Sequence, residues 1–143
     1  MSGRISRRAW FPASSMRFLS AALLLCVAGC AETPGCDRGA HSTSQIDLYF
    51  GMNIANGDVV SEPDWQRFSE GALSVAFPAG FTVVIAAGQW RNPKTGEIVR
   101  EPARVVSALG ARFEDARQAA QDYRVRFRQD SVAIVQRRVC AAF

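Results

Sequence analysis

The side chains best equipped for chemistry lie mid-chain: Gln89 and Trp90, then Arg100 and Glu101. An indole, an amide, a guanidinium and a carboxylate would suit a small polar ligand. Glu101, if desolvated, has the makings of a general base. Tyr49, upstream, is a candidate proton donor. Each also has a structural reading. An Arg–Glu neighbourhood in a strand is more often a cross-strand or interface ion pair. A tyrosine on a sheet face more often packs at a subunit contact. Other chemistries are excluded more firmly. The single histidine, His41, sits outside the patterned region, so no His-based triad or His metal site is expected. No CxxC, GxGxxG or P-loop occurs, and no cofactor is expected.

Those residues have a common address only if residues 81–109 form one long β-hairpin. Phe81-Thr82-Val83-Val84-Ile85 and Val105-Val106 are apolar, β-branched runs, and Asn92-Pro93-Lys94-Thr95-Gly96 lies between them. Asn opens a type I turn, Pro presets the next residue, and Gly supplies a positive φ on the way back. Symmetry about Lys94-Thr95 makes facing residue numbers sum to 189. Trp90 then faces Val99, Gln89 faces Arg100, Gly88 faces Glu101 and Val83 faces Val106. That register puts Trp90 and Glu101 on one face, Gln89 and Arg100 on the other. Pro102 cannot donate to a ladder, so a bulge or break is expected there, with residues 88–101 projecting as an arm.

The flanking elements follow. Leu48, Phe50, Met52 and Ile54 alternate with polar or small residues, which predicts a strand over Asp47–Ile54 with Tyr49 facing away from the helices. Ser61 with Asp64 approximates a capping box. Trp65, Phe68, Ala72, Leu73, Ala76 and Phe77 then repeat at helical spacing, weakened at Gly71 and stopped by Pro78-Ala79-Gly80. A second helix is predicted over Phe113–Arg128. Its acids lie early and its arginines late, as the dipole prefers, but Gly110-Ala111-Arg112 offers a poor cap. A last strand is predicted over Ser131–Ala142. The order βαββαβ predicts an α+β, ferredoxin-like fold: a four-stranded antiparallel sheet in the order 4-1-3-2 with two helices on one face.

Residues 1–29 read as a leader. Arg17 precedes a short apolar run, and Val27-Ala28-Gly29-Cys30 resembles a bacterial lipobox. That resemblance implies cleavage before Cys30 and lipid on its sulfur, a membrane anchor without a span. Ala31 after it implies the outer membrane and a periplasmic address. A plain secretory cut near Ala28 or Ala31 is the other reading. Met1 to Ser15 resemble either a loose twin-arginine signal or an over-long start before Met16. Residues 30–45 read as a flexible tether and 46–143 as one domain. With Cys26 in the leader and Cys30 lipidated, Cys36 and Cys140 remain, either as a bridge or as two thiols. The 4-1-3-2 order brings the end of the fourth strand beside the start of the first, which predicts the bridge.

The formal charge of +4 comes from the leader: four of the 17 Lys and Arg, and none of the 13 acids, lie in residues 1–29. The rest is balanced and has no footprint for nucleic acid. Both faces of the hairpin are partly apolar, while two helices cover one. The other face is therefore either modestly exposed or a homodimer contact.

The succession Leu48-Tyr49-Phe50-Gly51, Val60-Ser61-Glu62, Asp64-Trp65, Phe77-Pro78, Gly80-Phe81-Thr82-Val83, Gly88-Gln89-Trp90-Arg91, Ile98-Val99-Arg100-Glu101-Pro102 and Gln129-Asp130-Ser131-Val132 resembles the bacterial family called domain of unknown function 3574. The resemblance spans residues 47–143. It implies a secreted or lipid-anchored protein and brings no established activity. The expected function is a non-enzymatic envelope module for binding or structure. The alternative is a cofactor-independent enzyme acting on a small organic molecule near Tyr49, Trp90 and Glu101.

Overall fold

Four strands and two helical segments pack as the alternation requires in the computed structural model, which describes residues 35–54 and 57–143. The expected leader (residues 1–29), Cys30 and the start of the expected tether lie outside those residues, as do Ala55 and Asn56 of the expected first turn. The elements run β1 (His41–Gly51), α1 (Glu62–Phe68), a π-helical turn (Ser69–Leu73), α2 (Ser74–Ala76), β2 (Thr82–Arg91), β3 (Ile98–Leu109), α3 (Phe113–Phe127) and β4 (Ala133–Ala141). All pairings are antiparallel and the sheet order is β2-β3-β1-β4. This is the expected 4-1-3-2 arrangement of a ferredoxin-like α+β fold.

Ile46, Leu48 and Phe50 of β1 are fully buried, while Tyr49 between them is 43% exposed. The buried set meets Trp65, Phe68, Leu73, Tyr123 and Phe127 from the helices. Phe50 stands at the centre, edge-on to Tyr123 at 4.7 Å, Trp65 at 5.5 Å and Phe68 at 5.7 Å between ring centroids. Each such side chain, fully buried, contributes roughly 2–3 kcal/mol. Ala116, Ala119 and Ala120 are the small buried residues of α3 and let it lie close to the sheet.

The Ser61 side chain caps α1, accepting from Asp64 N–H at 3.3 Å. Gly71, the weak point of the apolar stripe, falls inside the π-helical turn, which takes up one extra residue where helix propensity is lowest. Arg112 gives α3 no side-chain cap, as expected. The helix stops at Arg128, which adopts a left-handed conformation at φ 52°. The first strand starts at His41, not Asp47, so residues 41–45, expected in a tether, belong to the sheet. Those residues carry no apolar alternation; they are strand because they pair with residues 137–141 of β4, from His41 opposite Ala141 to Gln45 opposite Arg137. The last strand begins at Ala133, not Ser131.

The hairpin register is continuous, with Thr82 facing Ser107 through to Arg91 facing Ile98. All the pairs anticipated from the 189 sum occur. The expected break at Pro102 does not. Pro102 directs its backbone at β1, not at β2. Its carbonyl accepts from Met52 N–H at 3.0 Å, just beyond the end of β1. The missing N–H would have addressed Met52 O, and Val60 N–H takes that acceptor instead at 2.8 Å. Met52 O is therefore not left without a donor, and the strand needs no bulge at Pro102. Beyond Gly51, which faces Ala103, no third strand runs beside β2 and β3 among the described residues, and residues 88–101 project there as an arm. At the tip, Gly96 has φ 75° and its N–H donates to Asn92 O at 2.8 Å.

Cys36 and Cys140 are bridged. The bridge holds the segment before β1 against the end of β4, where Ser42 faces Cys140.

Candidate functional site

The face of the sheet turned away from the helices carries the candidate chemistry. The register places Tyr49, Gly51 and Asp47 of β1 on it, with Val99, Glu101, Ala103, Val105 and Ser107 of β3 and Val84, Ala86, Gly88 and Trp90 of β2. Glu101 and Trp90 sit diagonally across the arm, and the Trp90 indole Nε1–H donates to Glu101 Oε1 at 2.9 Å. The other carboxylate oxygen, Oε2, accepts from the backbone N–H of Asn53 at 3.2 Å. To reach it, the side chain leans across β1 and covers Gly51. A methyl group on Gly51 would lie 2.7 Å from Oε2. Glycine leaves the place of a side chain to the carboxylate, which would have to move aside for any larger residue.

From the opposite side, the Tyr123 hydroxyl donates to Gly51 O at 2.8 Å. Burial pushes its phenol well above the ordinary 10.0, and the nearby Glu101 charge adds to this while Arg104 opposes it. Tyr123 is thus held as a neutral donor, a buried post under Gly51 of β1, the residue that the Glu101 side chain covers from the other face. Tyr49 lies two residues before Gly51 on the same face, so Tyr49, the Glu101 carboxylate and Trp90 form a line along an open surface. Gln89 and Arg100 face each other on the other side of the arm and do not join that line.

One cluster escaped the sequence reading. Asp47 is only 4% exposed although it lies on the open face. Its carboxylate accepts from Gln45 Nε2 at 2.9 Å and pairs with Arg137 Nη2 at 2.8 Å, while Gln45 also donates to Ser107 Oγ at 3.0 Å. Burial pushes the Asp47 carboxyl up. Hydrogen bonds from Ser107 and Gln45 and the Arg137 charge outweigh that and leave it below the ordinary 3.8. Only the interleaving of three strands assembles this group. The alternation in β1 marks Asp47 as outward-facing, and nothing in the chain marks it as covered.

Two shallow clefts lie elsewhere. One is lined by Asp64, Arg67, Glu70 and Arg126 between the helical segments, the other by Ser42, Ser44, Gln136 and Arg138 at the β1–β4 end. Among the described residues, no three His, Cys, Asp or Glu side chains converge as a metal site. No helix there is long and apolar enough to cross a membrane.

A family model described as a protein of unknown function (DUF3574) matches residues 45–143. No curated protein matches the sequence. Among solved structures, a phage SAM lyase in complex with S-methyl-5'-thioadenosine superposes with a TM-score of 0.54 at 13% identity, covering 78% of this chain and 95% of that one. CutA from Synechococcus elongatus gives 0.49 at 12% identity, over 72% and 83%. At such identity the first likeness is one of fold alone.

Proposed function

We propose, for a chain that belongs to the DUF3574 family of proteins of unknown function, a binding module of the bacterial cell envelope that works through the open face of its sheet without a reaction centre. The observation that carries this reading is the double tie on Glu101. The one carboxylate placed to act as a base has both oxygens taken, by the Trp90 indole and by the Asn53 backbone. Two donors on its two oxygens hold the side chain in one geometry and leave neither oxygen free of a protein partner. What the tie achieves is a fixed indole, 40% exposed, at the end of a strip that includes the exposed Tyr49 and Val84. A pinned aromatic platform loses little entropy on meeting a partner. Cofactor-free catalysis at Tyr49, Trp90 and Glu101 would need that carboxylate released.

The address rests on the leader and its lipobox, with lipid on Cys30 anchoring the domain, on this reading, to the outer membrane. The Cys36–Cys140 bridge agrees with an oxidising compartment. Cys30 lies close before the bridged Cys36, so the anchor would hold the domain within ~20 Å of the bilayer. The test is a native mass measurement on the protein purified from its own envelope. The expected mass begins at Cys30, carries acyl chains, lacks two thiol hydrogens and includes a retained molecule that Trp90→Ala releases. An unlipidated amino terminus would remove the anchor. Retention unaffected by Trp90→Ala would remove the platform.

A further inference from the structure

The two edges of the sheet are not alike. Met52 N–H donates to Pro102 O and Gly110 N–H donates to Ser44 O, so the even-numbered residues of β3 address β1. The odd-numbered ones therefore address β2. Through the register, Thr82, Val84, Ala86, Gly88 and Trp90 are the residues of β2 bonded to β3. Val83, Ile85, Ala87 and Gln89 turn their N–H and C=O groups outward. Among the described residues no strand pairs with them. From Thr82 to Trp90 this edge has neither a charge nor a proline, and Ile85 on it is 76% exposed.

The opposite edge is guarded. The same alternation makes Ile134, Gln136, Arg138 and Cys140 the outward residues of β4. Arg138 brings a charge, Arg137 beside it another, and Cys140 carries the bridge that ties the segment before β1 to this end. Charges and covering segments are the devices that keep sheet edges from pairing. Among the described residues, one edge of this sheet has them and the other lacks them.

We propose that the outer edge of β2 is a self-association site, occupied by β2 of a second copy running antiparallel to make one continuous eight-stranded sheet. A second copy is the occupant because it presents the same unguarded strand, and an antiparallel pair about a two-fold axis is self-complementary. Centred near Ala86 and Ala87, the pairing sets no like charges opposite one another, because TVVIAAGQW carries none. Each hydrogen-bonded residue pair contributes two backbone bonds. The exposed Ile85 of each copy meets the small Ala87 or the Gln89 of the other. The open faces stay free, so the Trp90 platform is doubled, not covered. The inference is independent of what that platform binds.

The experiment is sedimentation of the full chain in detergent across a concentration series, with residue-resolved amide exchange. Two variants act on the edge alone. Ala87→Pro removes an outward N–H and leaves the β2–β3 ladder intact, since Ala87 faces Pro102 in a pair that makes no ladder bond. Ile85→Lys supplies the missing guard. The wild type is expected to dimerise, and the amides of Val83, Ile85, Ala87 and Gln89 to become protected as concentration rises. Each variant should raise the dissociation constant at least about tenfold while the even-numbered amides keep their protection. A monomeric wild type, or outward amides that exchange freely at every concentration, overturns the proposal. So does a dimer that survives both variants and dissociates with Tyr49→Arg, which would place the contact on the open face.

Discussion

Gly51→Ala should be destabilising in the native chain and stabilising once Glu101 is gone. A Cβ on residue 51 would meet Oε2 at 2.7 Å and the carboxyl carbon at 2.8 Å. Backbone cannot yield there, because Gly51 is paired on both sides of its position by Ala103 and by the Tyr123 hydroxyl on its carbonyl. The carboxylate must swing out. It then loses the Trp90 bond at 2.9 Å and the Asn53 bond at 3.2 Å. Bonds to charged groups contribute up to roughly 1.5–3 kcal/mol each, and these lie partly in solvent, so about 1 kcal/mol each is the working figure. Against that, replacing a glycine at a φ that alanine tolerates stabilises by about 0.4–1 kcal/mol through the unfolded chain. Gly51 is not among the positive-φ glycines, so the gain applies. The net expectation is a loss of about 1–2 kcal/mol for Gly51→Ala alone. In a Glu101→Ala background the space is open, and the same change should gain about 0.5 kcal/mol. Urea denaturation of the two single variants and the double variant gives the cycle, from midpoints at constant slope. The coupling should be about 2 kcal/mol with a reversal of sign. Additivity within about 0.5 kcal/mol would mean that Glu101 does not lie over Gly51 in solution, and the fixed Trp90 platform would go with it.

Three further outcomes follow from the same structure. The Cys36–Cys140 bridge closes a sequence separation of 104, so Cys36→Ser should destabilise by up to about 4.7 kcal/mol in the chain-entropy model; equal denaturation midpoints with and without reductant in the native chain would refute this. Asp47, held below the ordinary 3.8, contributes stability that is present above that pH and is lost as pH falls through its lowered folded value. Asp47→Asn should flatten the acid limb of a stability–pH curve, and an unchanged limb would count against the cluster with Ser107, Gln45 and Arg137. Tyr123, raised in the folded state, contributes stability that is present below 10.0 and is lost as pH rises from there. Its phenolate absorbance should appear only with unfolding in alkali, and Tyr123→Phe should cost about 1–2 kcal/mol by leaving Gly51 O without its donor, as read from thermal or urea melts.

The hairpin was legible in sequence because its signals are local. β-branched runs, an Asn-Pro-x-x-Gly turn and symmetry between the arms set a register that holds from Thr82 to Arg91. Helix α1 was legible for the same reason: Ser61, Asp64 and the 3.6-residue stripe are all within a few turns. Two expectations failed on non-local grounds. The segment His41–Gln45 has no strand pattern of its own and is strand because β4 runs beside it. Pro102 reads as a ladder-breaker, yet its missing donor faces a position where Val60 has already taken the acceptor. In the candidate site, the face assignment of Trp90 and Glu101 followed from parity. The hydrogen bonds that pin them did not, because Asn53 reaches Glu101 only after β1 and β3 pair.

Taken alone, the amino-acid sequence determined the element order and the hairpin register, and through the βαββαβ order it predicted the strand order and favoured a Cys36–Cys140 bridge over two free thiols. Periodicity, turn residues and chain direction encode these, and each depends on neighbours along the chain or on the few ways four strands can be joined. Only the tertiary structure decided that Glu101 lies over Gly51 with both oxygens engaged, that Asp47 is buried on an open face, and that, among the described residues, the β2 edge is unguarded while the β4 edge carries charge and the bridge. These are properties of side chains and backbone groups brought together from strands distant in sequence, and no local pattern specifies what a carboxylate or an N–H will meet there.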